Sequence, residues 1–147
     1  MKLIIGNKAY SSWSMRGWLA CKQSGLSFEE LTVPLFGDDW DHVRESENFA
    51  PSGGKVPILW DGETVVWDSL AIIDWLADKT HRDRFWPKDE TAPVVSRFQT
   101  YGFRLPGFAT SYMQTILDHE WTAQWMAAAE EEPWVIERLE QPKSAEA

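Results

Sequence analysis

Lys55-Val56-Pro57-Ile58-Leu59 and, shortly after it, Val66-Trp67-Asp68-Ser69-Leu70 are the two runs on which the reading of this chain turns. The first sets a proline at the mouth of a strand. The second passes from a short strand into a helix that opens on an acid and a hydroxyl. X-Pro bonds alone take the cis isomer at modest cost. A cis Val56-Pro57 bond would turn the Val56 backbone groups outward, where an extended peptide can pair with them. A helix starting at Asp68-Ser69 aims its free N–H groups at an anion such as a carboxylate. Together the two runs read as a site for a small acidic peptide.

The elements around them follow from periodicity and punctuation. Residues 2–5 are apolar and β-branched, a strand. Residues 6–11 form a polar turn. Met15, Trp18, Leu19 and Lys22 suit an amphipathic helix from Ser14, with Gly25 at its stop. Residues 28–33 make a second strand, closed by Pro34. Residues 37–54 are a long polar stretch with Trp40 and Phe49 embedded, long enough to hold a short helix. Residues 56–60 and 64–67 are strands joined by a hairpin at Asp61-Gly62-Glu63. Residues 69–76 are helical. The order β-α-β, linker, β-β-α is a thioredoxin-like α/β arrangement over residues 1–80. A linker over 81–92 carries Phe85-Trp86-Pro87. An all-helical portion then runs over 93–140, with helices from Pro93 to Tyr101 and from Ala109 to Glu131. Pro133 closes the second, and residues 141–147 read as a disordered tail. Glu130-Glu131-Glu132 reads as a solvated charge run at a helix end.

Composition narrows the function. Of 147 residues 44% are hydrophobic, enough for a sizeable core, and ten are tryptophans. The net charge of −9 excludes nucleic acid as a main partner, since phosphate binding needs a basic stripe, and it disfavours an anionic membrane surface. An anionic ligand must therefore be held by local dipoles and a few cations. The single Cys21 allows no disulfide within the chain and points to a reducing compartment. No signal peptide and no membrane-spanning run is read, so the expected location is cytoplasmic. No Cys-x-x-Cys is present, His42, His81 and His119 are scattered, and no metal site is expected. Asp38, Asp39 and Asp41 lack calcium-loop spacing.

Read from residues alone, Tyr10-Ser11-Ser12-Trp13-Ser14-Met15-Arg16 is either a serine-rich helix cap or a site where a hydroxyl at a helix N-terminus stabilises a thiolate. Ser11-Ser12-Trp13-Ser14-x-Arg16 resembles the Ser-Ser-Cys-Ser-x-Arg segment of zeta-class glutathione transferases, with Trp13 where the family has cysteine. Val56-Pro57 resembles the family's cis-proline segment, and Asp68-Ser69 its acid-serine pair. The resemblance implies that Ser12, with Ser11 as the close alternative, faces the glutathione sulfur. It implies that Val56 and Pro57 hold the cysteinyl part, and Asp68 and Ser69 the γ-glutamyl end. Lys55 is either a cation near the ligand or a solvated lysine. Trp40 lies in the loop that approaches the glycine end, as a structural aromatic or a contact. Glutathione is then a co-substrate, with no further cofactor, and a small electrophile is the second substrate.

The resemblance covers residues 1 to about 87 and resumes from 93 to 140. It implies that the first helices of the family's C-terminal domain are missing at a seam near Glu90 to Pro93. A helical domain so shortened leaves two readings open: a glutathione transferase, and a glutathione-binding or interaction module without useful catalysis. A homodimer is the expected assembly if any forms, with its interface unassigned.

Overall fold

The computed structural model describes residues 1–85 and 114–140. Four strands form one sheet: β1 (Lys2–Gly6), β2 (Glu29–Val33), β3 (Ile58–Asp61) and β4 (Thr64–Trp67), in the order β2-β1-β3-β4. β1 pairs in parallel with β2, Ile4 opposite Leu31, and antiparallel with β3, Ile4 opposite Ile58. β3 and β4 form the hairpin, with Gly62 at φ 62° in its turn. β3 begins at Ile58 rather than Val56 because Pro57 has no N–H to give the ladder.

The pleat sends alternate residues of β1 to opposite faces. Leu3 and Ile5 meet Trp18 and Cys21 of α1 (Ser12–Ser24), Ile72 and Leu76 of α3 (Ser69–Lys79), and Trp125. Ile4 and Ile58 face the other way, onto Phe49 and the half-buried Trp40 and Val43 of the short helix α2 (Trp40–Glu45). Gly25 ends α1 in the left-handed conformation at φ 71°, its N–H bonded to the Lys22 carbonyl. The thioredoxin-like order expected from the sequence is the order found.

Gly17 sets how closely α1 sits on the start of β3. A Cβ added there would lie 2.8 Å from Pro57 Cγ and 2.9 Å from Pro57 Cβ. No larger residue fits without moving the helix away from Pro57.

Helical residues 114–117 do not run on into a single helix, as the sequence pattern suggests. The chain turns at 118–119, and α4 (Glu120–Glu130) starts afresh. Gln114 Nε2 donates to Asp118 Oδ1 at 2.8 Å, and His119 Nδ1 accepts from Trp121 N at 3.2 Å, capping the new helix. Side-chain capping at His119 thus overrides the uninterrupted helical pattern. Residues 81–85 dock on α3: Arg82 Nη2 reaches Asp74 Oδ1 at 2.9 Å and its other nitrogen pairs with Asp78. The expected seam near Glu90 to Pro93, the Pro93 helix and the tail 141–147 lie outside the described residues.

α4 packs on the N-terminal part through Trp121 and, more deeply, through Trp125. Trp125 is buried, meets the Trp18 ring edge-on at 5.4 Å, and donates its Nε1–H to the Lys8 carbonyl at 3.1 Å. Lys8 in turn pairs with Glu30 at 2.5 Å, and Glu30 accepts from Trp18 Nε1 at 2.6 Å. Replacing such an indole with alanine costs about 3–5 kcal/mol.

Two outcomes test this packing. Gly17→Ala gains about 1 kcal/mol of helix propensity but adds a methyl to a filled contact, which costs about 1–3 kcal/mol; urea unfolding should show a net loss of stability. The Lys79 ammonium on Asp61 ties the hairpin to the end of α3 and holds the Asp61 carboxyl below the usual carboxylate range. Its contribution is therefore present above the unfolded carboxyl pKa and fades as pH falls through the lower folded value. Asp61→Asn should lose less stability than the parent chain between pH 6 and pH 3.

Candidate functional site

The loop from β1 to α1 begins at Gly6 and is held from inside. A Cβ on Gly6 would meet Leu35 Cδ1 at 2.4 Å, so the chain passes closely beneath that side chain. Asn7 is fully buried; its Oδ1 accepts from Leu35 N at 2.7 Å, and its carbonyl accepts from Ser11 N at 2.9 Å. Ser11 is the N-cap of α1 and 7% exposed. Its Oγ accepts from Ser14 N at 3.2 Å and donates to Ser14 Oγ at 2.8 Å. Ser14 Oγ, also buried, accepts from Gly6 N at 2.9 Å. The serines here are thus a connected set of hydroxyls rather than a loose polar cap.

This set borders a cleft of about 380 Å³ lined by Tyr10, Ser11, Trp13, Leu35, Phe36, Trp40, Arg44, Gly53, Gly54, Lys55, Val56 and Leu139. Among the described residues the lining carries two cations and no acid, in a chain of net charge −9. Arg44 Nε pairs with Asp41 at 3.1 Å, at the edge of the cleft. Gly54 at φ 76° admits the Arg44 side chain, since a Cβ there would lie 2.9 Å from Arg44 Cβ. Trp40 packs edge-on against buried Phe49 at 6.0 Å and tilts on Phe36 at 5.7 Å, so it is both a structural aromatic and part of the wall. Phe36 holds φ 61°, a conformation that bulky residues rarely adopt.

The sequence-named residues divide between this cleft and its surroundings. Ser11, Trp40, Lys55 and Val56 line the cleft together. Ser12, the first choice for the thiolate hydroxyl, is exposed on the first turn of α1 and is not part of the lining; Ser11 is. Val56-Pro57 is cis, with Pro57 buried beneath Gly17. Asp68 and Ser69 open α3 outside the cleft lining. Lys55 spans the gap, its Nζ 5.6 Å from the ring of Trp67, the residue before Asp68.

Asp68 sits at φ 63°, ψ 158°, a strained setting for a residue with a side chain. Its Oδ1 accepts from Leu70 N at 2.8 Å and Ala71 N at 2.9 Å. The carboxylate is therefore the N-cap of α3, and Ser69 beside it is buried. Arg16 stacks its guanidinium 4.0 Å from the Trp13 ring, which is 55% exposed at the cleft mouth. His42 is exposed and outside the lining. Among the described residues no group of His, Cys, Asp and Glu is placed to hold a metal ion, and no helix is long and apolar enough to cross a membrane.

Sequence reasoning missed Tyr10, Arg44, Phe36 and Leu139 in the lining. Gly53-Gly54 beside Lys55 was the available signal for a close backbone approach there. It also misread Glu132, expected in solvent. Glu132 Oε1 accepts from Lys8 N at 2.8 Å and Oε2 from Ala9 N at 3.4 Å. Tyr10 hydroxyl accepts from Ile136 N at 3.2 Å and donates to Glu140, whose carboxylate raises the phenol pKa and keeps it neutral.

Cys21 is fully buried on the inner face of α1, and that burial pushes its thiol up to about 12. In the native protein at pH 8 it should react with a disulfide reagent more than about a hundredfold slower than a free thiol, and at the ordinary rate once unfolded in urea. Rapid native labelling would show that α1 opens.

The model of the glutathione S-transferase N-terminal domain matches residues 10–79. Glutathione S-transferase Z1 of Arabidopsis thaliana is 36% identical over 87 residues, 56% of this chain and 38% of that protein. Dichloromethane dehalogenase of Methylophilus leisingeri is 31% identical over 64 residues, 44% of this chain and 24% of that protein. Glutathione S-transferase 1 of Dianthus caryophyllus is 33% identical over 88 residues, 60% and 39% of the two chains. The chain thus spans between 24% and 39% of the length of these curated relatives. A solved glutathione transferase homologue from Burkholderia, with bound glutathione, has the same fold at TM-score 0.64 and 16% identity, over 89% of this chain and 98% of that one.

Proposed function

We propose that this chain, which belongs to the glutathione S-transferase family through its N-terminal domain, binds reduced glutathione in the Ser11–Lys55–Val56 cleft and presents its thiolate to an electrophile. The observation that carries this reading is the cleft itself. It is a basic, aromatic-walled pocket in an acidic protein, with a hydroxyl at the N-terminus of a 13-residue helix on its border. Tripeptide carboxylates suit Lys55 and Arg44. The Val56 backbone, free of the β-ladder that starts at Ile58, suits main-chain pairing with the cysteinyl unit. Lys55 extends from the cleft toward the start of α3. There the Ser69 hydroxyl and backbone N–H would take the γ-glutamyl carboxylate, since Asp68 already caps the next two N–H groups. Asp68 would meet the γ-glutamyl amine through the oxygen that does not cap the helix.

Ser11 rather than Ser12 is the hydroxyl we assign to the sulfur. In the structure Ser11 donates to Ser14 Oγ. If Ser14 reverses and donates to Ser11 Oγ, the Ser11 proton turns to the sulfur. The change rotates two hydroxyls and moves no backbone. A hydroxyl donating to sulfur favours the thiolate over the thiol, and the α1 dipole acts in the same direction. The thiolate then attacks an electrophilic carbon held beside Trp13 and Phe36, and the leaving group departs with the electron pair of the broken bond. Holding both reactants in one cleft supplies most of the rate such a reaction gains. A cytoplasmic location and a homodimer accompany this reading as expectations.

Calorimetric titration with reduced glutathione at neutral pH tests it. Saturable binding is expected, weakened about fivefold to thirtyfold by Lys55→Ala, consistent with about 1–2 kcal/mol for a charge-assisted contact. Ser11→Ala should leave binding nearly intact and abolish the ultraviolet absorbance of the bound thiolate, whereas Ser12→Ala should keep it. Binding and thiolate formation without turnover on any electrophile would favour the non-catalytic module. No binding by the folded chain would sink both readings.

A further inference from the structure

We infer that Glu132 is a positioning residue for the thiolate site: reaching back from beyond α4, its carboxylate holds the loop that delivers Ser11 to the cleft. The inference rests on the function proposed above and deepens it. Three successive residues before Ser11 are gripped by the C-terminal part of the chain. Lys8 N and Ala9 N donate to the two oxygens of Glu132, at 2.8 and 3.4 Å. The Lys8 carbonyl accepts from Trp125 Nε1 at 3.1 Å. Tyr10 hydroxyl accepts from Ile136 N at 3.2 Å, with Ile136 buried. Among the described residues the Tyr10 and Ser11 N–H groups bond the Asn7 carbonyl within the loop, while those of Lys8 and Ala9 have Glu132 as their acceptor.

An ionised carboxylate accepting two backbone N–H bonds is a strong, oriented anchor. Its position also balances the site: the charge lies on the loop backbone, outside the cleft lining, and leaves the anion-binding face free of acid among the described residues. The loop's two ends meet on the Ser14 hydroxyl, to which Gly6 N and Ser11 Oγ both donate. Glu132 fixes its middle. Between them they set where Ser11 Oγ points, and a small displacement at a reacting group costs far more rate than binding.

The test compares the full chain with Glu132→Gln and with Thr122→Val, a buried change on α4 that lines a separate pocket with Leu19 and Ile73. In Glu132→Gln the side-chain amide keeps one acceptor oxygen and turns an N–H₂ toward the second loop N–H, so one of the two contacts is lost. Amide hydrogen exchange at Lys8 and Ala9 should quicken at least about tenfold in Glu132→Gln and not in Thr122→Val. In the glutathione complex, the thiolate absorbance of Glu132→Gln should fall about threefold to tenfold while the dissociation constant moves less than about twofold, because only orientation is lost. Thr122→Val should shift the unfolding midpoint and leave the thiolate signal in place. An unchanged thiolate signal in Glu132→Gln, or an equal loss in Thr122→Val, overturns the inference. If Glu132→Gln does not fold, Glu132→Asp replaces it: the charge stays but the reach shortens, so an intact thiolate signal there also overturns it. Absence of any thiolate in the parent complex overturns the functional reading and this role together. The exchange data then still report whether Glu132 holds the loop.

Discussion

The indole of Trp125 is the contact on which the described architecture depends. It fills the space beside Trp18 above β1, and its one polar atom finds the Lys8 carbonyl. A tryptophan buried this deeply needs such a partner, and here the partner is the backbone of the loop that leads to the candidate site. The same Lys8 places its ammonium against Glu30 and 5.5 Å from the Trp125 ring. Core packing, loop position and ion pairing are therefore one arrangement. Loosening α4 would change the loop before it changed the sheet.

The placement of charge serves the same loop and cleft. Among the described residues the acids lie on β2, α2, α3, α4 and the turns, and none of them lines the cleft. The cleft is left to Arg44, Lys55 and backbone N–H groups. With a net charge of −9 the long-range field repels anions. Capture then relies on short-range contacts, which salt screens weakly because they act well inside a Debye length of about 8 Å. Such a site selects for ligand shape and donor geometry more than for charge alone.

The sheet and its helices were legible because each carries a local signal. The continuous apolar run Leu3-Ile4-Ile5 marks β1, Gly25 stops α1, Gly62 turns the hairpin and Pro57 delays β3. The candidate site was half legible. Lys55, Val56 and Ser11 lie beside proline or a helix cap, which are readable, and they do line one cleft. Ser12 and Ser11 could not be separated, because adjacent residues at a helix start differ only in the direction the backbone gives them. Arg44, Leu139 and Glu132 come from distant segments, and nothing local distinguishes them from solvated side chains. Glu132 in particular sits in a run of three acids whose ordinary reading is a surface. Only the return of the chain to the β1–α1 loop gives it two N–H partners.

The hydroxyl set explains why two buried serines stand where one would cap the helix. A single N-cap serine satisfies the Ser14 N–H and leaves its proton to the nearest acceptor. Ser14 Oγ supplies that acceptor in the structure, and it is itself fixed by Gly6 N. Because a hydroxyl can donate or accept at similar cost, the pair can exist in either direction. Under the proposed function, an incoming thiolate, a stronger acceptor than a neutral hydroxyl, would bias that choice without disturbing the cap, since Ser11 Oγ accepts from Ser14 N in either direction. The cap uses a lone pair of Ser11 Oγ and the proposed thiolate contact would use its proton, so the two roles share one atom without competing.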